Sequence, residues 1–203
     1  MTFSDTLRID LPSWVRSFHG SLPSRLATAE HRMEVAISLA RQNVIHQSGG
    51  PFGALVVERD SGQVIAFGVN RVEPTHCSSA HAEIMALSLA QQRLAHWNLG
   101  QAGRGEMELV TSCEPCAMCL GAIPWSGIQS LVCGAVKADA EAVGFDEGDR
   151  PDDWADKLIG RGIRVVTGVL RRQAAEVLER YGKAGSTIYG PELPNSPSSG
   201  KRP

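Results

Sequence analysis

The chain has 203 residues, of which 42% are hydrophobic and 21% charged, enough apolar material for one domain with a buried core. Its formal net charge of -2 argues against a surface built mainly to bind nucleic acid and favours a small neutral ligand. No apolar run reaches the length of a membrane span, and the N-terminal segment lacks the pattern of a secretion signal, so we expect a cytoplasmic protein outside the membrane. Five cysteines, an odd number, favour free thiols or metal ligands over disulfides.

The chain divides into three predicted regions. Residues 1–23 show no sustained apolar period and are expected to form an arm lying on the domain or on a partner. Residues 24–190 should form the folded domain. Residues 191–203 collect Gly, Pro, Ser and Asn, which predicts a flexible tail.

Helical and strand patterns alternate along the domain. Helices are predicted over 24–46 (with Ser24 as its cap), 80–95, 116–125, 152–160 and 171–181. Strands are predicted over 54–57, 64–69, 108–111, 130–136 and 163–169, and the first two should be joined by the turn around Asp60-Ser61-Gly62. This order indicates an α/β fold, with a mixed sheet of about five strands between layers of helices.

One constellation of residues has the spacing of a metal site. His81-Ala82-Glu83 opens one predicted helix, and Pro115 directly precedes Cys116-Ala117-Met118-Cys119, which open the next. Proline suits the first position of a helix, so both thiols should lie on one face of its opening turn, where their sulfurs can share one ion. His81, Cys116 and Cys119 together leave the fourth tetrahedral position for water, as in a catalytic zinc site.

Glu83 is predicted to be the proton shuttle. It lies two residues from the histidine ligand, near enough to exchange a proton with zinc-activated water without occupying the ligand position. The combination H-x-E with P-C-x-x-C is the signature of zinc-dependent base deaminases. The alternative is a structural zinc completed by Cys113, Cys77 or another histidine.

Beyond this signature, the chain resembles the cytidine deaminase superfamily and, within it, the bacterial guanine deaminases. The resemblance covers roughly residues 24–190 and rests on segments 49–54 (GGPFGA), 81–83 (HAE), 111–116 (TSCEPC) and 144–148 (GFDEG), together with Asn70. It implies a three-layer α/β/α fold and a zinc-dependent hydrolase of purine metabolism that converts guanine to xanthine and ammonia. Aminated triazines such as ammeline are possible side substrates. It also implies a homodimer with an exchanged terminal segment.

The GFDEG segment distinguishes this resemblance from that to tRNA adenosine deaminases, which share the zinc signature. By the resemblance, Glu147, or its neighbour Asp146, is a second acid that accepts hydrogen bonds from N1–H and the amine of guanine and then protonates the departing ammonia. The alternative is a solvated acidic turn, because further aspartates follow closely.

Several other residues are candidates for substrate contacts. Asn70, at a strand end, can offer a donor and an acceptor to a purine edge, or it can cap its own backbone. Phe52 and Trp125 can sandwich a flat base or pack in the core. Ala82 lies between the ligand and the shuttle, and Tyr189 resembles the aromatic end of family members whose C-terminal segment crosses to a partner and covers the pocket.

Two rival functions stay open from the sequence. One is a tRNA adenosine, cytidine or guanosine deaminase, in which the acidic segment would be incidental. The other is a zinc-stabilised, non-catalytic scaffold, which the presence of Glu83 disfavours. The substrate actually deaminated separates the first rival from guanine deamination.

Overall fold

A computed structural model describes residues 5–190 and shows a five-stranded mixed sheet with helices on both faces. The strands are β1 (Gly53–Glu58), β2 (Gln63–Val69), β3 (Met107–Cys113), β4 (Ser130–Ala135) and β5 (Arg164–Val166). Their order in the sheet is β2-β1-β3-β4-β5. β1 pairs antiparallel with both β2 and β3, whereas the β3–β4 and β4–β5 pairs are parallel. The predicted mixed sheet of about five strands is confirmed.

Eight helices accompany the sheet in the described residues. They are α1 (Trp14–Ser21), α2 (Ala29–Ile45), α3 (Val72–Thr75), α4 (Ala82–Leu94), α5 (Ala117–Ser126), α6 (Lys137–Glu141), α7 (Trp154–Ile159) and α8 (Arg171–Lys183), with a single 3-10 turn at Leu99–Gln101. None of the helices seen between residues 5 and 190 is long and apolar enough to cross a membrane.

The two faces of the sheet bury separate apolar clusters. Side chains alternate along β1, so Leu55 and Val57 join the cluster with α2 and α8, while Ala54 and Val56 join the cluster with α4, α5 and α7. A strand buried on both faces reads as a continuous apolar run, and all six residues of β4 are buried. The sheet is therefore the middle layer of three.

The structure corrects several local predictions. Helix α2 begins after Thr28, whose hydroxyl accepts a hydrogen bond from the His31 N–H, so Ser24 is not its cap. The arm contains α1, which the sequence pattern missed because only Val15 in it is buried. Strand β5 ends at Val166, ahead of a turn in which Gly168 has φ +74°, and is shorter than predicted. The predicted tail 191–203 lies outside the described residues.

Candidate active site

The candidate site lies where helices α4 and α5 begin. His81 directly precedes α4, and Cys116 occupies the equivalent cap position of α5. Gly68 allows α4 to start directly on β2, because a Cβ atom there would come within 2.0 Å of the Ala82 carbonyl oxygen. Pro115 stands just before the cap and not at the first helical position, where the sequence predicted it, and Cys119 alone of the two thiols lies within the helix.

His81, Cys116 and Cys119 form a cluster with the geometry of a zinc site. Their candidate ligand atoms all lie within 4.8 Å of one another. The Nδ1 atom of His81 is 3.5 Å from each of the two sulfurs. Tetrahedral zinc with ordinary bond lengths separates a nitrogen and a sulfur ligand by about 3.6 Å. The distances from His81 to both sulfurs therefore match those expected of a zinc site.

The electrostatics of the cluster favour a thiolate. Hydrogen bonding from Cys119, and then from His81, lowers the pKa of Cys116 to about 4 against the opposing effect of burial. A position at a helix N-terminus acts in the same direction, because the helix dipole favours negative charge there. One ligand is thus ionised at neutral pH before any metal binds.

Glu83 lies beside the cluster but outside the ligand set. It is the second residue of α4, only 6% exposed, and its Oε2 atom is 3.5 Å from the Cys119 sulfur. Burial, followed by the negative charge of Cys116, raises the pKa of the carboxyl group. A buried carboxyl group with a raised pKa next to a metal site is suited to accepting and returning a proton.

The structure separates the two acids of the GFDEG segment. Glu147 is 5% exposed and lines the same cavity as Glu83, and its burial raises the pKa of its carboxyl group to about 8. Asp146 also lines this cavity, but it is exposed as a residue, and its Oδ1 atom accepts a hydrogen bond of 2.8 Å from the Gly148 N–H. The geometry favours Glu147 as the second acid.

Asn70 is fully buried and already engaged on its acceptor side. Its Oδ1 atom accepts hydrogen bonds from the N–H groups of Gly50 and Val72, at 3.2 and 3.3 Å. Its Nδ2 atom donates to the hydroxyl of Tyr189. The Asn70 oxygen therefore caps nearby backbone, and a contact from its amide N–H groups to a substrate stays a prediction.

Aromatic rings wall the cavity. Phe145 packs edge to face against Phe52 and Tyr189, with ring centroids 4.9 and 5.6 Å apart. The remaining space measures about 30 Å³, roughly one water molecule. Phe145 and Glu114 also line this cavity, and neither is among the candidate residues predicted from the sequence. Phe145 lies in the GFDEG segment close to Glu147, and this proximity in sequence could have identified it as a cavity residue.

Two predicted substrate contacts stand apart from the cavity lining. Trp125 is 80% exposed on the outer side of α5, and the structure does not bring it to this cavity. It borders a different surface depression together with Pro124 and Trp154. Ala82, the first residue of α4, is fully buried between His81 and Glu83.

The fold and the site define a zinc-dependent deaminase, with H-x-E at one helix start and P-C-x-x-C at the next. Residues 26–135 match the sequence model of the cytidine and deoxycytidylate deaminase zinc-binding region, and the chain belongs to this family. The segment 144–148 and Tyr189 lie beyond the matched range.

Three related proteins show which members of this family the chain resembles. The structure of guanine deaminase from Nitrosomonas europaea superimposes with a TM-score of 0.84 and 49% identity, covering 90% of this chain and 100% of that one. Guanine deaminase of Bacillus subtilis (strain 168) is 40% identical over 112 residues, 55% of this chain and 67% of its own length. A tRNA-specific adenosine deaminase of Agrobacterium fabrum (strain C58) is 30% identical over 77% of this chain and 95% of its own length.

Proposed function

We propose that this protein is a guanine deaminase, which hydrolyses guanine to xanthine and ammonia. The observation that carries the proposal is the position of Glu147, a second buried acid that faces the same cavity as Glu83 and the zinc ligands. The two guanine deaminases described above support the same substrate. Ammeline and related aminated triazines, which present a similar ring edge, are proposed side substrates.

In the proposed reaction, the metal ligands, Glu83 and Glu147 have different roles. Zinc held by His81, Cys116 and Cys119 would supply water with a pKa lowered toward neutrality. Glu83 accepts a proton from the attacking water as its oxygen bonds to C2 of guanine, and it returns that proton to the ring. Glu147 accepts hydrogen bonds from N1–H and the C2 amine, takes the second proton of the water oxygen, and delivers it to the amine as the C2–N bond breaks. The water oxygen becomes the C2 carbonyl, and ammonia departs.

The remaining cavity residues orient the base. The Nδ2 group of Asn70 donates to an acceptor on the purine edge once the Tyr189 hydroxyl gives way. Phe52 and Phe145 supply flat apolar contact to the ring, consistent with aromatic walls in ligand sites. Ala82 contributes the backbone between the ligand and the shuttle.

A substrate panel tests the proposed function. Purified protein is given guanine, guanosine, cytosine, cytidine, adenine and adenosine with and without a chelator, and ammonia and xanthine are measured. Chelator-sensitive xanthine formation supports the proposal. Deamination of another base or nucleoside keeps the zinc chemistry but contradicts the substrate assigned through Glu147.

The tRNA-deaminase alternative is favoured by the relative from Agrobacterium fabrum and by the shared zinc signature. It predicts deamination of a tRNA anticodon stem-loop and silence on the free base. The non-catalytic scaffold predicts bound zinc with no turnover of any substrate. A Glu83→Gln variant distinguishes an enzyme from this scaffold. In an enzyme, kcat should fall by about 10² to 10⁴-fold with zinc content unchanged. Glu30→Gln, at an exposed position, is the control.

We further propose a cytoplasmic homodimer with an exchanged C-terminal segment. Helix α5 has no charged residue and exposes Met118 and Trp125, a surface that a second copy would cover. Within one chain, Tyr189 fills its own cavity, so exchange would place the same segment of a second copy there. Light scattering measures the assembly, and Trp125→Glu should weaken it.

A further inference from the structure

The segment that carries Glu147 has no helix or strand of its own. Residues 142–152 contain only turns and irregular backbone, and Gly144 and Gly148 both have positive φ angles. Its direct backbone link to the zinc-binding helix is the Glu147 carbonyl oxygen, which accepts a 2.9 Å hydrogen bond from the Ala117 N–H. That bond fixes the main chain at Glu147, and a further constraint is needed to fix the segment as a whole.

Arg150 supplies that constraint. Its Nη2 atom donates to the Glu114 Oε2 atom at 2.7 Å, and its Nη1 atom donates to the Pro115 carbonyl oxygen at 3.0 Å. These two acceptors belong to the residues immediately before Cys116. The Arg150 and Glu114 side chains are only 5% and 10% exposed. A buried guanidinium with two parallel donors thus joins the Glu147 segment to the zinc-binding turn.

Both partners of this ion pair are held from other sides. The Glu114 Oε2 atom also accepts a 3.1 Å hydrogen bond from the Lys137 N–H, and the Glu114 N–H donates to the Ala135 carbonyl oxygen at the end of β4. The Arg150 guanidinium carbon lies 4.7 Å from the centre of the buried Trp154 ring. The pair is therefore fixed to the sheet and to the core.

We propose that Arg150 and Glu114 are a positioning pair that sets the location of the Glu147 carboxyl group relative to the zinc ligands. This inference rests on the proposed function, because it assigns the pair a role in guanine turnover. Neither residue transfers a proton in this scheme. The pair acts by holding Glu147 where the leaving amine will be, and a displacement of about 1 Å in such a group can cost on the order of a hundredfold in rate.

The test is Arg150→Lys, which keeps the charge but replaces the planar two-donor group with a single ammonium. We expect kcat for guanine to fall by about tenfold to a hundredfold, with a change in KM of less than about threefold. Zinc content and the visible spectrum of the Co²⁺-substituted protein should match the wild type. Arg172→Lys, with a side chain 89% exposed on α8, is the matched control and should keep full activity.

Glu114→Gln gives a second route if Arg150→Lys fails to fold. It keeps an acceptor oxygen for Arg150 while removing the charge, so kcat for guanine should fall by about twofold to tenfold with zinc content unchanged. Wild-type kcat in Glu114→Gln overturns the positioning pair. Wild-type kcat in Arg150→Lys overturns the positioning pair, and so does a loss of activity that is matched by loss of zinc. Absence of xanthine formation by the wild type in the same assay overturns the proposed function instead.

Discussion

The hydroxyl of Tyr189 accepts a hydrogen bond from the side-chain amide of Asn70, a contact between residues 119 positions apart. It joins the segment after the last helix to the end of β2 and closes the cavity between them. With the Tyr189 ring in place, the space of about 30 Å³ is too small for a purine. On the proposed function, we therefore expect the Tyr189 ring to move aside when a base binds next to Glu83 and Glu147.

Tyr189→Phe is expected to lower KM for guanine by about twofold to tenfold. The substrate then no longer competes with the phenol for the Asn70 amide, and a hydrogen bond of this kind contributes about 0.5 to 1.5 kcal/mol. Steady-state kinetics measure the change, and Trp97→Phe, at a 69% exposed position, is the control. A higher KM would show instead that the hydroxyl binds the substrate.

Glu147→Gln and Asp146→Asn should behave differently although the residues are adjacent. Glu147 is buried in the cavity, so loss of its proton-donating carboxyl group should lower kcat by about 10² to 10⁴-fold. Asp146 is exposed, and an asparagine oxygen can keep the hydrogen bond to the Gly148 N–H, so kcat should change by less than about threefold. Equal losses in both variants would contradict the assignment of Glu147.

Asn43 holds the backbone of Gly50 and Asn70, next to the cavity. It is fully buried, and its Nδ2 atom donates to the carbonyl oxygens of Gly50 and Asn70, each at 2.9 Å. Asn43→Ala removes both bonds and should lower the free energy of unfolding by about 2 to 4 kcal/mol in urea titrations. Exposed Gln92→Ala should change it by less than about 0.5 kcal/mol. A stable Asn43→Ala protein with unchanged KM would show that this support is dispensable.

Asp139 should make stability depend on acid pH. Hydrogen bonds from Arg171, and then from the Val136 N–H, lower the pKa of its carboxyl group in the folded protein. The group therefore stabilises the fold above its unfolded pKa, near 3.9, and this contribution disappears as the pH falls through the lower folded pKa.

At pH 7, Asp139→Asn should lower the free energy of unfolding by about 1 kcal/mol, and the two proteins should converge in strong acid. Urea unfolding across the pH range measures this difference. Asp152→Asn, at an exposed position, should leave the curve unchanged. A constant difference at every pH would mean that the carboxylate charge is not the cause.

The close approach of His81, Cys116, Cys119 and Glu83 could be predicted from sequence, because these residues follow short, characteristic spacings at two helix starts. The orientation of Trp125 could not. Helix α5 is apolar on all sides, so its sequence has no polar face from which to tell the inside from the outside. Trp125 consequently faces outward and is 80% exposed, whereas base stacking and core packing were the two alternatives predicted for it.

Contacts between segments distant in the chain could also not be predicted from the sequence. The helices α3 and α6 span four and five residues, too short for a periodic signal, and the surrounding structure determines them. The bonds from Arg150 to Glu114 and Pro115 join segments about 35 residues apart, and no local pattern predicts such a link. The strands of the sheet were easier to predict from the sequence, because each buried strand is recognisable from its own apolar run.

The cavity combines two kinds of backbone. His81, Glu83, Cys116 and Cys119 stand at or just before the first turns of helices that rest on the sheet, whereas Phe52, Asn70, Phe145 and Tyr189 lie in connecting or terminal segments. Such segments tolerate sequence change far better than the packed elements they join. We therefore expect that exchanging these segments between relatives would change which ring is bound, while the residues at the two helix starts stay the same.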